Sequence, residues 1–500
     1  MFKKIFPFFV IYTIVIALYY PVFTTYFSHD DFFHFKVSMV DGGLENFFKL
    51  FGFYSFEIKK IAFYRPIFRE LLYSSFYFLF GLNQIPFRIL EFIIHFINTY
   101  LVFSLIQKIY KNKVVSLISA FFFGISAANV SSFYYLAGGI QAQGATMFIL
   151  LTLILFVNFL DTKKPKYYMF SYLTFLLGLM SHEQASLIPI LLVGIILVKF
   201  KLRDALIKII NLWPYFLTTA VYIFLNIKII GYSSGETQYK MVFNLKTTAN
   251  TLMWYTNWAL GVPEMLIDFV KPGFNLNPDL MRYWGNYFRI IFPTLVLSIV
   301  IILFFVVSLF TKFRKVFKDK RFWLFLVWFP IGILPVLFLP QHKSTYYVYP
   351  SLPAFWAVMG IISYNGLYVI KRNNPLTAWF LFIVLFISLF TLSATSAVLG
   401  RTTYWAANRG KLAEKIIKDV RSRYFTLPIG SGVYFINDPT YPYVAEDWKG
   451  SSKQAYFALN GEDGLQLVYK DQTLRVFYED TGGVPKDFPM DKIKPIIAIY

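Results

Sequence analysis

The densest group of ionisable side chains in the chain is Ser28-His29-Asp30-Asp31-Phe32-Phe33-His34, two adjacent carboxylates flanked by imidazoles. Two such carboxylates can divide labour. One accepts a proton from a hydroxyl nucleophile; the other, with a histidine, holds a divalent cation or positions the first. A second group, Met180-Ser181-His182-Glu183-Gln184, occupies a connection only a few residues long. A third, Gln341-His342-Lys343-Ser344-Thr345-Tyr346-Tyr347, joins a cation to hydroxyl donors, the set a departing phosphate needs. Glu91, His95 and Asn98 recur at i, i+4 and i+7, a polar stripe of the kind that usually makes hydrogen bonds between helices. Trp254, Tyr255 and Trp258 read as an interfacial helix. Cysteine is absent, which excludes a thiol nucleophile, a thiolate metal site and disulfide staples.

The elements that must position these groups are apolar. Of the 500 residues 57% are hydrophobic and 15% charged, with mean hydropathy +0.54; a soluble domain carries roughly 25% charged residues. Uncharged runs such as 295–310 and 377–398 predict an all-α polytopic membrane protein. The first stretch starts Met1-Phe-Lys-Lys, runs to about 27, and reads as a retained helix with its basic end in the cytoplasm. Further spans are expected near 86–106, 114–136, 139–160, 167–181, 185–199, 209–231, 289–311, 322–340, 346–370 and 376–398, about eleven in all. Lys and Arg concentrate in alternate loops, at 108–113, 163–166, 199–208, 312–321 and 371–372, whereas the short loops at 137–139, 182–184 and 341–345 hold only Lys343. That positive-inside pattern accounts for most of the net charge of +21 and removes the nucleic-acid partner that such a charge would otherwise suggest.

The same pattern puts 28–85, 232–288 and 399–500 on the extracytoplasmic side, together with all three polar loops. Within 28–85 a membrane-lying helix is expected over 64–82. Residues 1–398 read as the membrane domain. Residues 399–500 read as a small extracytoplasmic α/β domain, with a helix over 404–424 and strands at 432–437, 465–469 and 473–478. The sequence shows no internal repeat.

These residues resemble the GT-C superfamily of membrane glycosyltransferases that use polyprenyl-phosphate sugars, nearest the protein O-mannosyltransferase branch. The resemblance rests on Asp30-Asp31 after the first span, Tyr64-Arg65-Pro66 opening the membrane-lying helix, Gly81-Leu82 with Pro86, and His95 with Asn98. His182-Glu183 with Pro189, and Tyr346 to Pro350 with Lys343 upstream, extend it to about 28–360. The chain departs from the family pattern in having Glu91 for Asn and His182 for Lys. It also lacks a His-Pro…Glu segment, reading Ser126-Ala-Ala-Asn-Val-Ser131 there.

The resemblance implies an inverting transferase of the cytoplasmic membrane that moves a sugar from a polyprenyl-phosphate donor to a hydroxyl acceptor on protein, lipid or glycan. Asp30 or Asp31 is the implied general base. Arg65, His95, Glu183, His342, Lys343, Tyr346 and Tyr347 are expected around the lipid phosphate. A divalent metal (Mg or Mn) would fall to His29, Asp31 and Glu183. The alternatives are a polysaccharide polymerase or ligase using a lipid diphosphate donor, or a non-enzymatic transporter of lipid-linked sugars. Against the first, the outer loops lack paired arginines; against the second, the acids sit at helix ends and no repeat is seen.

Overall fold

A computed structural model describes residues 2–38, 48–59, 61, 63–231, 239–271, 273, 275–442 and 449–499. Met1 and parts of the long segments expected at 28–85 and 232–288, namely 39–47 and 232–238, lie outside the described residues. Among the described residues, seven helices are long and apolar enough to cross a bilayer: Phe6–Thr24, Gln84–Tyr110, Leu136–Thr162, Trp213–Ile230, Asp279–Lys312, Leu352–Lys371 and Pro375–Arg423.

The other segments expected to span fold instead as shorter helices: Lys113–Ile125, Pro165–Leu179, Ile188–Lys199 and Lys320–Gly332. At 1.5 Å per residue each is only about 18–22 Å long, against roughly 30 Å for a hydrocarbon core. Most stop short at the end that carries the polar loops. There the chain forms the short helix Asn129–Tyr134 and the 3₁₀ turns Glu183–Leu187 and Thr345–Val348. These broken ends leave a depression in the bundle.

Breaking a helix in apolar surroundings strands its backbone carbonyls, and side-chain amides take them up. Asn129 Nδ2 donates to Phe123 O and Gly124 O, at 2.9 and 3.1 Å. Gln184 Nε2 donates to Gly332 O and Tyr347 O, at 2.8 and 2.9 Å. The polar stripe serves the same packing: His95 Nδ1 meets the Tyr349 hydroxyl at 2.7 Å, and Asn98 Nδ2 donates to Gln143 O at 2.8 Å.

The bundle has two chemically distinct ends. At one, the basic loops are tied together: Lys108 donates to Asn158, Lys199 pairs with Asp161, and Arg321 reaches Tyr110 O. At the other lie all three polar loops.

After Thr403 the chain continues as helix Trp405–Arg423 and a small parallel sheet. Strand Gly432–Asn437 is central, between Arg475–Tyr478 and Ile493–Ala498. The strand expected at 465–469 is instead part of helix Asp463–Tyr469. Its five-residue alternation is too short to separate a strand from one buried helical face, and Asp463 in its first turn favours the helix. The core of this unit is continuous with the Asp30 helix, since Phe32, Phe35 and Tyr73 share one buried cluster with Val433, Leu459 and Leu465.

Candidate active site

The first polar group folds as helix Asp30–Val37, entered through His29 at φ +43°. A non-glycine residue with positive φ is strained and persists only where neighbours hold it. Here His29 N donates to Ala458 O at 3.0 Å, and His29 Nδ1 lies 2.9 Å from Phe457 O.

The two carboxylates face opposite ways. Asp31 is 1% exposed. Its oxygens accept from Ser28 N at 3.0 Å, Ala137 N at 2.8 Å and the Tyr73 hydroxyl at 3.2 Å. Burial lifts its pKa to about 6 despite the nearby Arg88 guanidinium and the two backbone N–H donors. Asp30 stays about one third exposed, accepts a hydrogen bond from the Tyr135 hydroxyl, and has His29 Nε2 at 3.5 Å.

Arg65 meets Glu183 of the second polar group in a two-pronged pair, Nε to Oε2 at 3.0 Å and Nη2 to Oε1 at 2.8 Å. Its Nη1 donates to Gln141 at 2.7 Å. Burial alone would raise the Glu183 pKa, but the Arg65 guanidinium beside it holds the carboxyl below the usual range. His182 is fully buried, and burial with the Arg65 charge depresses its pKa to about 3, so it is neutral.

In the third group, His342 Nε2 lies 2.8 Å from the Tyr347 hydroxyl, and the Tyr347 and Tyr346 rings are 4.1 Å apart. Tyr346 also packs against Tyr135, so an aromatic chain runs from the Asp30 side to the His342 side. Lys343 donates to Pro340 O, and burial lowers its pKa.

These groups line one cavity of about 710 Å³, within the roughly 300–1,000 Å³ typical of small-molecule sites. Asp30, Arg65, His342, Lys343, Tyr346 and Tyr347 all reach it. His95 does not; it is enclosed in the bundle between Tyr349 and Gly124 O, so the expected phosphate contact is a packing contact. Glu183 stands behind Arg65 and orients it.

The expected metal set does not come together. Asp31 has its oxygens committed to backbone and tyrosine donors, and Glu183 is committed to Arg65. Among the described residues, no group of three His, Asp or Glu side chains is spaced to hold a metal ion. As placed, His29, Asp31 and Glu183 do not fit a shared divalent cation.

The cavity also contains residues outside the motifs. Tyr135, Glu264, Trp405 and Arg409 line it. Glu264 accepts from Ser344 Oγ at 3.1 Å and Thr345 N at 2.9 Å, tying the loop after helix Leu245–Leu260 to the third group. Only Glu264, an acid following Pro263 between two apolar helices, left a sequence signal. The others are single aromatic or basic residues in ordinary contexts.

Residues 64–229 match the family model described as dolichyl-phosphate-mannose-protein mannosyltransferase. Two solved structures from Archaeoglobus fulgidus are similar in outline. One is an oligosaccharyltransferase tethered to an acceptor peptide with an NVT sequon, 11% identical, covering 96% of this chain and 64% of that one, with TM-score 0.46. The other is the oligosaccharyltransferase AglB with an inhibitory peptide and a dolichol-phosphate, 10% identical, covering 87% and 63%, with TM-score 0.43. The chain thus spans just under two thirds of the length of those proteins. None of the curated proteins compared matches it.

Proposed function

We propose, from the match of residues 64–229 to the mannosyltransferase family model and from the lining of the cavity, that the chain is a GT-C-type membrane glycosyltransferase that transfers a sugar from a polyprenyl-phosphate donor to a hydroxyl acceptor, with inversion at the anomeric carbon. One observation carries the reading: of the paired carboxylates only Asp30 opens to a cavity whose lining also includes Arg65, His342 and Lys343.

The acceptor hydroxyl gives its proton to the Asp30 carboxylate as its oxygen attacks the anomeric carbon. The bond from that carbon to the phosphate oxygen breaks, and the lipid phosphate leaves with the electron pair. Arg65, Lys343 and His342 stabilise the phosphate charge as it develops. The Tyr135 hydrogen bond occupies Asp30 Oδ2, so the incoming hydroxyl is met by Oδ1, which has His29 Nε2 beside it at 3.5 Å. Glu183 and Gln141 hold the Arg65 guanidinium flat at the cavity wall. The loop charges support an extracytoplasmic site, with the donor entering from the outer leaflet and the C-terminal unit on the same side.

The test is incubation of purified protein with labelled polyprenyl-phosphate sugars. Consumption of at least one donor is expected, together with its loss in folded Asp30→Asn protein. Full activity in that variant, or turnover of diphosphate-linked donors alone, overturns the reading.

A further inference from the structure

Arg409 stands apart from the other cations of the cavity. Arg65 is engaged by Glu183 and Gln141, Arg69 by Glu70 and Phe63 O, and Lys343 by Pro340 O. Among the described residues, Arg409 donates no hydrogen bond and pairs with no carboxylate. Its guanidinium instead lies between two rings, 4.8 Å from the centre of Trp405 and 5.0 Å from that of Phe457. Trp405 and Arg409 are one turn apart on helix Trp405–Arg423, so they share a face, and Phe457 closes the clamp from helix Ser451–Leu459. A guanidinium packed against two aromatic rings keeps its N–H groups free for a ligand and loses little conformational entropy on meeting one.

Its position decides which ligand. Trp405, over whose ring Arg409 lies, packs against the Tyr135 ring at 5.0 Å and the His29 ring at 6.5 Å, which puts Arg409 on the base's side of the cavity. Arg65 and His342 group with Glu183 and Tyr347. In an inverting displacement the nucleophile and the leaving group lie on opposite faces of the anomeric carbon. A cation beside the base therefore meets the acceptor rather than the departing phosphate. The clamp and the base are also one rigid piece, because Phe457 O and Ala458 O hold the strained His29.

Resting on the transferase reading above, we propose that Arg409 is the acceptor-selecting residue and that the natural acceptor carries an oxyanion, phosphate or carboxylate, close to the hydroxyl that is glycosylated. The C-terminal unit is thereby part of the substrate site.

The test uses the full chain in nanodiscs, a donor that it turns over, and three small acceptors: glycerol, glycerate and sn-glycerol 3-phosphate. The charged acceptors are expected to exceed glycerol at least tenfold in kcat/KM, and comparing the two separates carboxylate from phosphate preference. Arg409→Gln should reduce the advantage below twofold, mainly through KM, and Arg409→Lys should restore part of it. No preference in the wild type, or the same preference in Arg409→Gln, overturns the proposal. A shifted pH optimum with an unchanged preference also overturns it, since Arg409 would then act only on Asp30. If no donor is consumed even with water as acceptor, the transferase reading has failed, and direct binding decides the Arg409 claim. In that arm sn-glycerol 3-phosphate is titrated into Lys343→Gln protein, where the leaving-group side is weakened. Adding Arg409→Gln should weaken binding at least tenfold, and equal binding overturns the claim.

Discussion

Asp31 is closed in by Ser28 N, Ala137 N and the Tyr73 hydroxyl, while Asp30 meets the cavity through one hydrogen bond, so substitution separates the two. In Asp30→Asn the amide oxygen still accepts from Tyr135, and only the proton acceptor is lost. The expected outcome is a kcat lower by about 100-fold or more with an unchanged melting temperature. In Asp31→Asn the new NH₂ group must face a donor in a sealed space, costing about 1–3 kcal/mol, so melting temperature and yield should fall. Measuring kcat and melting on the same preparations checks both, and the reverse pattern would exchange the two roles. Arg65 and Glu183 supply a second contrast. Either Arg65→Met or Glu183→Leu leaves one partner largely buried and uncompensated, a loss of about 3 kcal/mol, whereas the double variant should recover much of it. A thermal double-mutant cycle reads the difference. The acid pair, Arg65 and the Lys343 loop were legible in the sequence because charged residues are rare in this chain. Which aspartate faces inward was not legible, since Tyr73, Ala137 and Tyr135 approach from distant segments.

The short segment Ser126–Tyr135 sets the position of the Asp30 partner. Its helix Asn129–Tyr134 packs against Gly139, where an added Cβ would lie 2.2 Å from Ser132 O, a backbone atom that cannot rotate away. Gly139→Ala must therefore move the segment, at about 1–3 kcal/mol, and displace Tyr135 from Asp30. The expected result is a lower melting temperature together with a loss of kcat. Gly360→Ala is the control for bundle packing: its Cβ also meets neighbours closely, at Ser119 Oγ (2.9 Å) and Val115 O (3.1 Å), and none of the three residues lines the cavity. It should cost stability and leave kcat largely intact, and an equal kcat loss in both would remove the positional argument. This segment also shows the limit of reading elements from sequence. Hydropathy alone runs 114–136 together as one span, because Ser126, Ala127 and Ala128 are uncharged. The break depends on Asn129 capping carbonyls in space, and on the Tyr19 hydroxyl reaching Ser126 O from another helix. Apolar runs therefore located the helices but not where each one ends, and the cavity is built from those ends.

Across the whole molecule, the buried ionisable groups outside the spans titrate in opposing senses, which makes the stability profile diagnostic. Asp31 has a folded pKa of about 6 against an ordinary 3.8, because burial favours its protonated form. The folded state therefore binds more protons than the unfolded chain between about pH 4 and 6, and this contribution is lost as pH rises through that window. His182 is the reverse. Burial and the Arg65 charge hold it near 3 against 6.5, so the unfolded chain takes up a proton first, and stability falls as pH drops below about 6.5. His34, depressed by burial with Arg69 and Arg65, and His29, depressed by burial, act in the same direction as His182. Glu183, held low by Arg65, acts with the histidines, whereas Glu264 and Asp463, lifted by burial, act with Asp31. At up to about 1.4 kcal/mol per pH unit, the histidine loss, which starts at the ordinary value of 6.5, governs the sign. The protein should melt at progressively lower temperature as pH is taken from 7 to 4. His29 sits where the Asp30 helix meets the C-terminal unit, and His182 lies beside Glu183 and Arg65, so acid should loosen these contacts before the apolar bundle. Hydrogen exchange at pH 4.5 should then show protection lost first around 28–34 and 457–466, with 139–157 still protected. His182→Asn, which keeps an acceptor for Gln184 N without a titrating ring, should flatten the melting profile between pH 6.5 and 4. A wild-type profile that is flat or rises toward acid would show that these contacts are not held by neutral histidines, and the coupling of the C-terminal unit to the Asp30 helix would then rest on apolar packing alone.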